Sequence, residues 1–157
     1  MSLTDRAAKY GSLRNALDAV RKEGGSAEEE IQKLFYSPLF DLIGLKVLKA
    51  ENGVCELSFQ LTKEGSRLGG MVHGGITMYA LDNASSMSVM TMNSGISQAT
   101  LELKVNFIAP LAKEPFKATG QVIKMGRSTA VAEGRVQDGD GKICAAAMGT
   151  WFIIQKS

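Results

Sequence analysis

The chain has 157 residues, of which 45% are hydrophobic and 22% are charged, a composition typical of one folded domain rather than of a disordered segment. Its 18 Lys and Arg side chains nearly balance its 16 Asp and Glu side chains, for a net charge of +2. This balance argues against the concentrated basic excess that nucleic-acid binding requires, so we expect no nucleic-acid partner. Two cysteines and one histidine are too few for a disulfide scaffold or a typical zinc site, so we expect no metal.

The N-terminal part predicts a helical segment. Apolar residues recur at spacings of three and four between Leu3 and Val20, which predicts one amphipathic helix that ends at Gly24-Gly25. Ser26, followed three positions later by Glu29, is a capping-box signal for a short second helix that runs through about Phe35.

The N-terminus also lacks the continuous apolar run of a secretory signal, and no stretch of about 20 apolar residues occurs anywhere in the chain. We therefore expect no membrane span and a cytoplasmic location.

From Leu39 onward the hydrophobic pattern changes from the period of helices to that of strands. Two alternating segments flank Asn52-Gly53, a dipeptide that predicts a hairpin turn. Long strand-like segments follow residue 95, and their short separators favour an antiparallel meander. The order of helices, two strands, one helix and three or four more strands predicts an α+β domain with a single sheet. We divide the chain into an N-terminal helical extension, 1–36, and a main domain, 37–157.

The helix predicted over residues 75–92 carries a single charge, that of Asp82. A surface helix normally shows a charged face, so this composition predicts a helix that is buried on nearly all sides. A buried, unpaired carboxylate is costly. Asp82 therefore either bonds a buried hydroxyl for structural reasons or acts as a general base or nucleophile with a raised pKa. Ser86 follows one turn later, at contact distance on the same side of the helix.

A glycine-rich stretch, Leu68 to Gly75, leads into this helix and contains the only histidine, His73. Free N–H groups and the positive dipole end at a helix N-terminus can hold a developing oxyanion. The stretch matches neither a phosphate loop nor a dinucleotide-binding fingerprint. His73 is interpreted either as a residue that orients the turn or as a catalytic residue.

The distance between these two features bears on the oligomeric state. Gly74 and Asp82 are eight positions apart, which is roughly 12 Å along a helix at about 1.5 Å per residue. An oxyanion donor and a nucleophile must both lie within about 3 Å of one reacting carbonyl. If both residues act, the site is shared between two chains and the protein is at least a dimer.

These motifs together resemble those of the hotdog-fold acyl-CoA thioesterases, and within that family the phenylacetate-pathway and thioesterase-superfamily-member-2-like subgroup. The resemblance extends over about Leu39 to Ile154. The segments that carry it are His73-Gly74-Gly75, Asp82-Asn83, the strand 100–107 with Pro110, Gly126-Arg127-Ser128-Thr129-Ala130, and Asp140-Gly141-Lys142.

The resemblance implies a long central helix wrapped by an antiparallel sheet, in chains that pair into dimers and often tetramers. It implies hydrolysis of acyl-CoA thioesters without a separate cofactor, because coenzyme A is part of the substrate. It also implies that the Gly74 amide polarises the thioester carbonyl, that Asp82 of the other subunit attacks it or activates water, and that His73 orients the loop. Ser86 and Thr100 match hydroxyl positions that position water or the carboxylate.

The resemblance also implies a binding end for coenzyme A. Lys124, Arg127 and Ser128 match the end that meets the phosphates and pantetheine, although a solvated turn between strands is the other interpretation. Gly75 and Asn83 belong to the same substrate-binding motifs. The acyl pocket would use residues that are equally well interpreted as plain core: Met78, Met87, Met90 and Phe107.

Arg67 departs from the family pattern, in which this position commonly carries Asn or Gln. An arginine here would bind a substrate carboxylate or a coenzyme phosphate, or pair with Asp82 and lower its pKa. It favours an alternative function, a hotdog dimer that binds or senses acyl-CoA without turning it over. A hotdog dehydratase fits less well, because those enzymes usually place a catalytic histidine well ahead of the helix.

Overall fold

The computed structural model of the protein describes residues 1–156, and these form five helices and eight strands. The helices are α1 (Leu3–Tyr10), α2 (Leu13–Lys22), α3 (Ala27–Phe35), α4 (Pro38–Leu42) and α5 (Gly74–Met90). The strands are β1 (Lys46–Glu51), β2 (Val54–Phe59), β3 (Ser66–Arg67), β4 (Met71–Val72), β5 (Ser97–Phe107), β6 (Phe116–Met125), β7 (Thr129–Gln137) and β8 (Ile143–Ile154).

The N-terminal part contains two helices where the hydrophobic spacing predicts one. Gly11 has φ +84°, in the left-handed region, and ends α1. The Ser12 hydroxyl then accepts a hydrogen bond from the Asn15 N–H and caps α2. The apolar spacing continues across this break because both helices bury their faces against the same core. The predicted cap of the next helix is confirmed, since the Ser26 hydroxyl accepts from the Glu29 N–H and α3 ends at Phe35.

The helical extension packs on the main fold through one continuous hydrophobic core. Leu13 and Ile31 of the extension are buried in the same cluster as Phe40 and residues of α5. The boundary between residues 36 and 37 therefore crosses this core, and the division into two units stays a prediction. The last residue of the predicted main domain, Ser157, lies outside the described residues.

Six strands form an antiparallel sheet in the order β1-β2-β6-β7-β8-β5. The hairpin prediction is confirmed, because Asn52 and Gly53 have φ +48° and +79° between β1 and β2. The meander prediction holds only for β6, β7 and β8, since β5 pairs with β8 at the far edge. The second edge of β5 pairs with no strand in the described part of the chain. A short ribbon formed by β3 and β4 was not predicted.

Helix α5 lies directly on the sheet because small residues meet at the crossing. Gly120 of β6 and Gly134 of β7 are paired opposite each other. A Cβ at Gly120 would overlap the Ala84 carbonyl, and one at Gly134 would lie 2.8 Å from the Ser85 hydroxyl. Side chains at these two positions would push the helix off the sheet, so the glycines set the close approach.

The prediction of a buried central helix is confirmed for its last three turns, because every residue of Ala80–Met90 except Asp82 is buried. The first turns are more exposed, with Gly75 and Met78 on the surface. The predicted α+β fold, a long helix packed against an antiparallel sheet with an N-terminal helical part, is confirmed. Among residues 1–156, no helix combines the length and the apolar character needed to cross a membrane.

Candidate active site

Asp82 lies half-buried in the third turn of α5, where the helix faces β5. Its Oδ1 accepts a hydrogen bond of 3.0 Å from the Thr100 hydroxyl. The pairing of β5 with β8 contains a bulge between Thr100 and Glu102, and such a bulge re-aims the side chains around it. Burial raises the pKa of Asp82 above its ordinary value, and the Thr100 hydrogen bond opposes this rise. A carboxylate of raised basicity, held by one hydroxyl, is suited to act as a base or a nucleophile.

A cavity of about 340 Å³ opens next to the Asp82 carboxylate, and we call it the acid cavity. Its lining residues are Phe35, Ser37, Tyr79, Asp82, Asn83, Ser86, Gln98, Thr100 and Trp151. The Ser86 hydroxyl accepts a hydrogen bond of 2.7 Å from the Trp151 indole N–H. The Asn83 amide donates to the Tyr79 carbonyl at 2.8 Å. Ser86 and Asn83 thus line the acid cavity, and the side chain of each already forms a hydrogen bond within the protein.

The start of α5 presents one backbone donor. His73 is the N-cap, and its Nδ1 accepts a hydrogen bond of 3.0 Å from the Gly75 N–H. No atom among residues 1–156 accepts from the Gly74 N–H, which is the first amide of the helix. Gly74 is therefore the glycine of this motif with an amide available for a substrate oxygen, while the Gly75 amide is bound to His73.

A second cavity, of about 410 Å³, lies beside the Gly74 amide, and we call it the amide cavity. Its lining residues are Arg67, Met71, Val72, Gly74, Thr77, Phe107, Ile108, Ala109, Pro110, Leu111 and Cys144. A Cβ at Gly74 would lie 3.4 Å from the Phe107 ring, so this aromatic side chain borders the amide. Phe107 is exposed, unlike a plain core residue.

Arg67 lines the amide cavity and does not pair with Asp82 within the protomer. Its Nη2 lies 3.7 Å from the Met71 sulfur, and it forms no ion pair with any described residue. Of the three alternatives for Arg67, pairing with Asp82 does not occur within one chain, because Arg67 lines the amide cavity at the start of α5 and Asp82 lies more than two turns farther along.

The acid cavity and the amide cavity share no lining residue. Helix α5 is continuous from Gly74 to Met90, so the rise of roughly 12 Å between Gly74 and Asp82 applies to the folded chain. Within a single protomer, Asp82 and the Gly74 amide therefore border separate cavities, and we call these two places the candidate half-sites.

The turn between β6 and β7 carries the other predicted substrate contacts. Arg127 and Ser128 are exposed in this turn, and Lys124 is exposed near the end of β6. The Arg127 carbonyl accepts from the Gln155 side chain, and the Ser128 carbonyl accepts from the Ile153 N–H, so the turn is fastened to the C-terminal end of β8. These three residues line neither the acid cavity nor the amide cavity of their own protomer.

The sequence did not predict five of the lining residues of the acid cavity: Phe35, Ser37, Tyr79, Gln98 and Trp151. Phe35 belongs to the extension, which carries no motif, and only the long-range packing of α3 brings it to the site. The chain has a single tryptophan, and a buried indole N–H needs a partner, so Trp151 was the one residue with a usable signal. Among residues 1–156, no group of three or more His, Cys, Asp or Glu side chains is placed to hold a metal ion.

Comparison with known proteins adds independent evidence. The family model of the thioesterase superfamily matches residues 69–145. This stretch contains all the lining residues of the acid cavity and the amide cavity except Phe35, Ser37, Arg67 and Trp151. A protein of Saccharolobus solfataricus named as a candidate esterase is 37% identical over 117 residues, which are 74% of this chain and 84% of the relative. A medium/long-chain acyl-CoA thioesterase of Salmonella typhimurium is 25% identical over 136 residues, 76% of this chain and 88% of the relative.

Comparison with solved structures supports the same family. A thioesterase family protein from Silicibacter pomeroyi superposes with a TM-score of 0.74 at 25% identity, over 80% of this chain and 96% of that chain. The narrower subgroup suggested by the motifs stays a prediction. The chain belongs to the thioesterase superfamily, as the spacing of His73-Gly74-Gly75 and Asp82 predicts.

Proposed function

We propose that the protein hydrolyses acyl-CoA thioesters to a free acid and coenzyme A. The observation that carries the proposal is Asp82, a half-buried carboxylate with a raised pKa that borders a cavity lined by three aromatic side chains. Family membership supports thioester hydrolysis, and the name of the Salmonella relative supports acyl-CoA as the substrate class.

The complete site forms between two copies of the chain. One protomer supplies Asp82 and Thr100, and its partner supplies the Gly74 amide, since the half-sites of one chain are too far apart to act on one carbonyl. Thr100 lies on β5, whose second edge is unpaired in the described chain, so pairing of two copies along β5 brings the partner close to Asp82. This proposal makes the protein a homodimer, or a tetramer built from such dimers.

The reaction follows from these positions. The Gly74 N–H donates a hydrogen bond to the thioester oxygen and stabilises the negative charge that develops on it. Asp82 either attacks the carbonyl carbon, giving an acyl-enzyme anhydride that water then opens, or removes a proton from a water that attacks. In both routes the carbon–sulfur bond breaks and the thiolate leaves as coenzyme A. His73 holds the turn through Gly75, and Ser86 and Asn83 shape the cavity wall.

The coenzyme end lies on the positive side of the site. Arg67 is exposed, lines the amide cavity and forms no ion pair with a described residue, so it is free to bind a phosphate or a substrate carboxylate. The further candidates for phosphate and pantetheine contacts are Lys124 near the end of β6 and Arg127 and Ser128 on the exposed β6–β7 turn. A cytoplasmic location stays a prediction.

The position of Arg67 also favours a second candidate, an acyl-CoA-binding protein that does not turn its ligand over. A cation next to the Gly74 amide stabilises a bound anion as well as a transition state. Tight binding of acyl-CoA without thiol release would select this function.

The test is a thiol-release assay with butanoyl-, octanoyl-, palmitoyl- and phenylacetyl-CoA. We expect release with at least one substrate, and a loss of at least about 100-fold in kcat for Asp82→Asn, the scale of a positioned base or nucleophile. Asp140→Asn is the matched control, because Asp140 is exposed and pairs with Lys113. Near-normal turnover by a folded Asp82→Asn variant would remove Asp82 from the mechanism.

A further inference from the structure

The acid cavity has a neighbouring cavity on the side of the N-terminal extension. A chamber of about 180 Å³ lies between the extension, the C-terminal end of α5 and the start of β5, and we call it the inner chamber. Its lining residues are Thr4, Leu13, Leu34, Phe35, Met90, Ile96, Ser97 and Gln98. Phe35 and Gln98 line both the acid cavity and the inner chamber, so these two side chains form the wall between them.

The two halves of this wall differ in how firmly they are held. The Gln98 amide donates to the Ser86 carbonyl at 2.6 Å, and its carbonyl oxygen accepts from the Asn93 amide at 3.0 Å. Gln98 is therefore fixed by a hydrogen bond at each end of its side-chain amide. Phe35 is half-buried at the last position of α3 and has only apolar packing to hold it. Phe35 is the half of the wall whose size decides whether the two spaces are connected.

The inner chamber is suited to an apolar group. Leu13 and Met90 are buried in its wall, and Leu34 and Ile96 add further apolar surface. Its volume exceeds the roughly 150 Å³ of an apolar protein cavity that holds a benzene molecule. The chamber therefore has room for about six carbon atoms beyond the acid cavity.

We infer that Phe35 of the N-terminal extension sets the acyl-chain length that the site accepts, by closing the acid cavity against the inner chamber. The inference rests on the proposed function, because it requires the acyl group to extend from Asp82 toward Tyr79, Trp151 and Phe35. The extension is then part of the substrate pocket. An acyl chain long enough to reach Phe35 ends against its ring. A longer acyl chain fits only if the Phe35 ring is absent or displaced.

The experiment compares kcat/KM for dodecanoyl-CoA with kcat/KM for butanoyl-CoA. Phe35→Ala removes the Phe35 half of the wall and leaves Gln98 in place. We expect the ratio to rise at least about tenfold over the natural protein, since a few buried methylene groups discriminate by this much or more. Phe35→Trp enlarges the wall and lowers the ratio. Tyr36→Ala is the matched control: Tyr36 is the next residue, is 54% exposed and lines neither space, so an unchanged ratio there excludes general loosening of the extension.

Two results overturn the inference in different ways. Thiol release with a ratio that stays within about twofold in Phe35→Ala and in Phe35→Trp rejects the role of Phe35 and leaves the proposed function standing. Absence of thiol release from every acyl-CoA by the natural protein rejects the proposed function, and the inference with it. If Phe35→Ala does not fold, Phe35→Leu, which keeps most of the apolar contact, gives the same readout with a smaller rise.

Discussion

At the scale of single residues, the burial of Asp82 makes its carboxylate more basic and also destabilises its ionised form. Its neighbours along α5 from Ala80 to Met90 are all buried, and burial is the main cause of its raised pKa. A raised pKa makes the carboxylate a better base, but it also means that the folded protein disfavours the ionised form. Thr100 offsets part of this cost with a single hydrogen bond.

The pH dependence of turnover is expected to move when Thr100 is changed to Val. The Thr100 hydroxyl stabilises the ionised form of Asp82, so its removal raises the pKa of Asp82 further. The pH below which kcat/KM falls then shifts upward, and activity at a fixed acidic pH drops. The measurement is a pH profile of kcat/KM for this variant. Thr129→Val, at an exposed position on β7, is the control, and an acidic limb that shifts downward for Thr100→Val would contradict the assignment.

Thermal stability directly tests how much the ionised Asp82 carboxylate destabilises the folded protein. The folded-state pKa of Asp82 lies above the ordinary value of 3.8, so stability is lost as the pH rises through the folded pKa. Asp82→Asn removes this loss and is expected to melt at a higher temperature at pH 7, by about 2 to 4 °C for each kcal/mol gained. The gain should vanish below pH 3.8, where Asp82 is protonated in both states. A variant that melts lower at pH 7 would show that Asp82 stabilises the fold.

At the scale of the elements, the close packing of α5 against the sheet depends on two glycines. Gly120 faces backbone, the Ala84 carbonyl, whereas Gly134 faces the movable hydroxyl of Ser85. Backbone cannot rotate away from an added methyl group, but a side chain can. The two positions therefore provide a graded test of how rigid the contact is.

Gly120→Ala is expected to cost about 3 kcal/mol of unfolding free energy or more, and Gly134→Ala about 1 to 2 kcal/mol. Urea denaturation of the two variants measures both values. Equal, small losses would show that α5 shifts freely on the sheet, and the half-site geometry would then not be set by this contact.

At the scale of the whole molecule, the two half-sites predict complementation between inactive chains. Gly74→Pro removes the amide N–H at the first helical position, where proline is well tolerated, and Gly74→Ala keeps the N–H as the control. Asp82→Asn and Gly74→Pro are each expected to be inactive. A mixed dimer restores one site of two, because the natural Asp82 of one chain meets the natural Gly74 of the other. Unfolding the two variants together and refolding them should recover about a quarter of the natural activity.

A mixture that recovers no activity, although mixed dimers form, would place both groups of each site in the same chain. Separately tagged chains, purified through both tags, establish that mixed dimers are present. Gly74→Ala mixed with Asp82→Asn reports how much of the effect comes from the side chain at this position rather than from the amide.

Some elements of the fold can be predicted from their own residues alone. The presence of only one charged side chain on Gly74–Met90 indicates a buried helix, and Asn52-Gly53 indicates a tight hairpin, because burial and turn conformation depend on the residues themselves. The first helix was predicted without its break, since the apolar spacing of α1 and α2 runs through Gly11.

The sequence by itself determined the central helix, the strands of the six-stranded sheet, the single acid of the helix and the family to which the chain belongs. Tertiary structure alone decided that β5 lies next to β8, that Thr100 reaches Asp82, and that Phe35 and Trp151 share a cavity with that acid. The physical reason is the separation along the chain of the residues that decide each feature. Periodicity and charge report on a residue's own segment, whereas strand order and cavity walls depend on contacts between segments far apart in the chain, which no local pattern encodes.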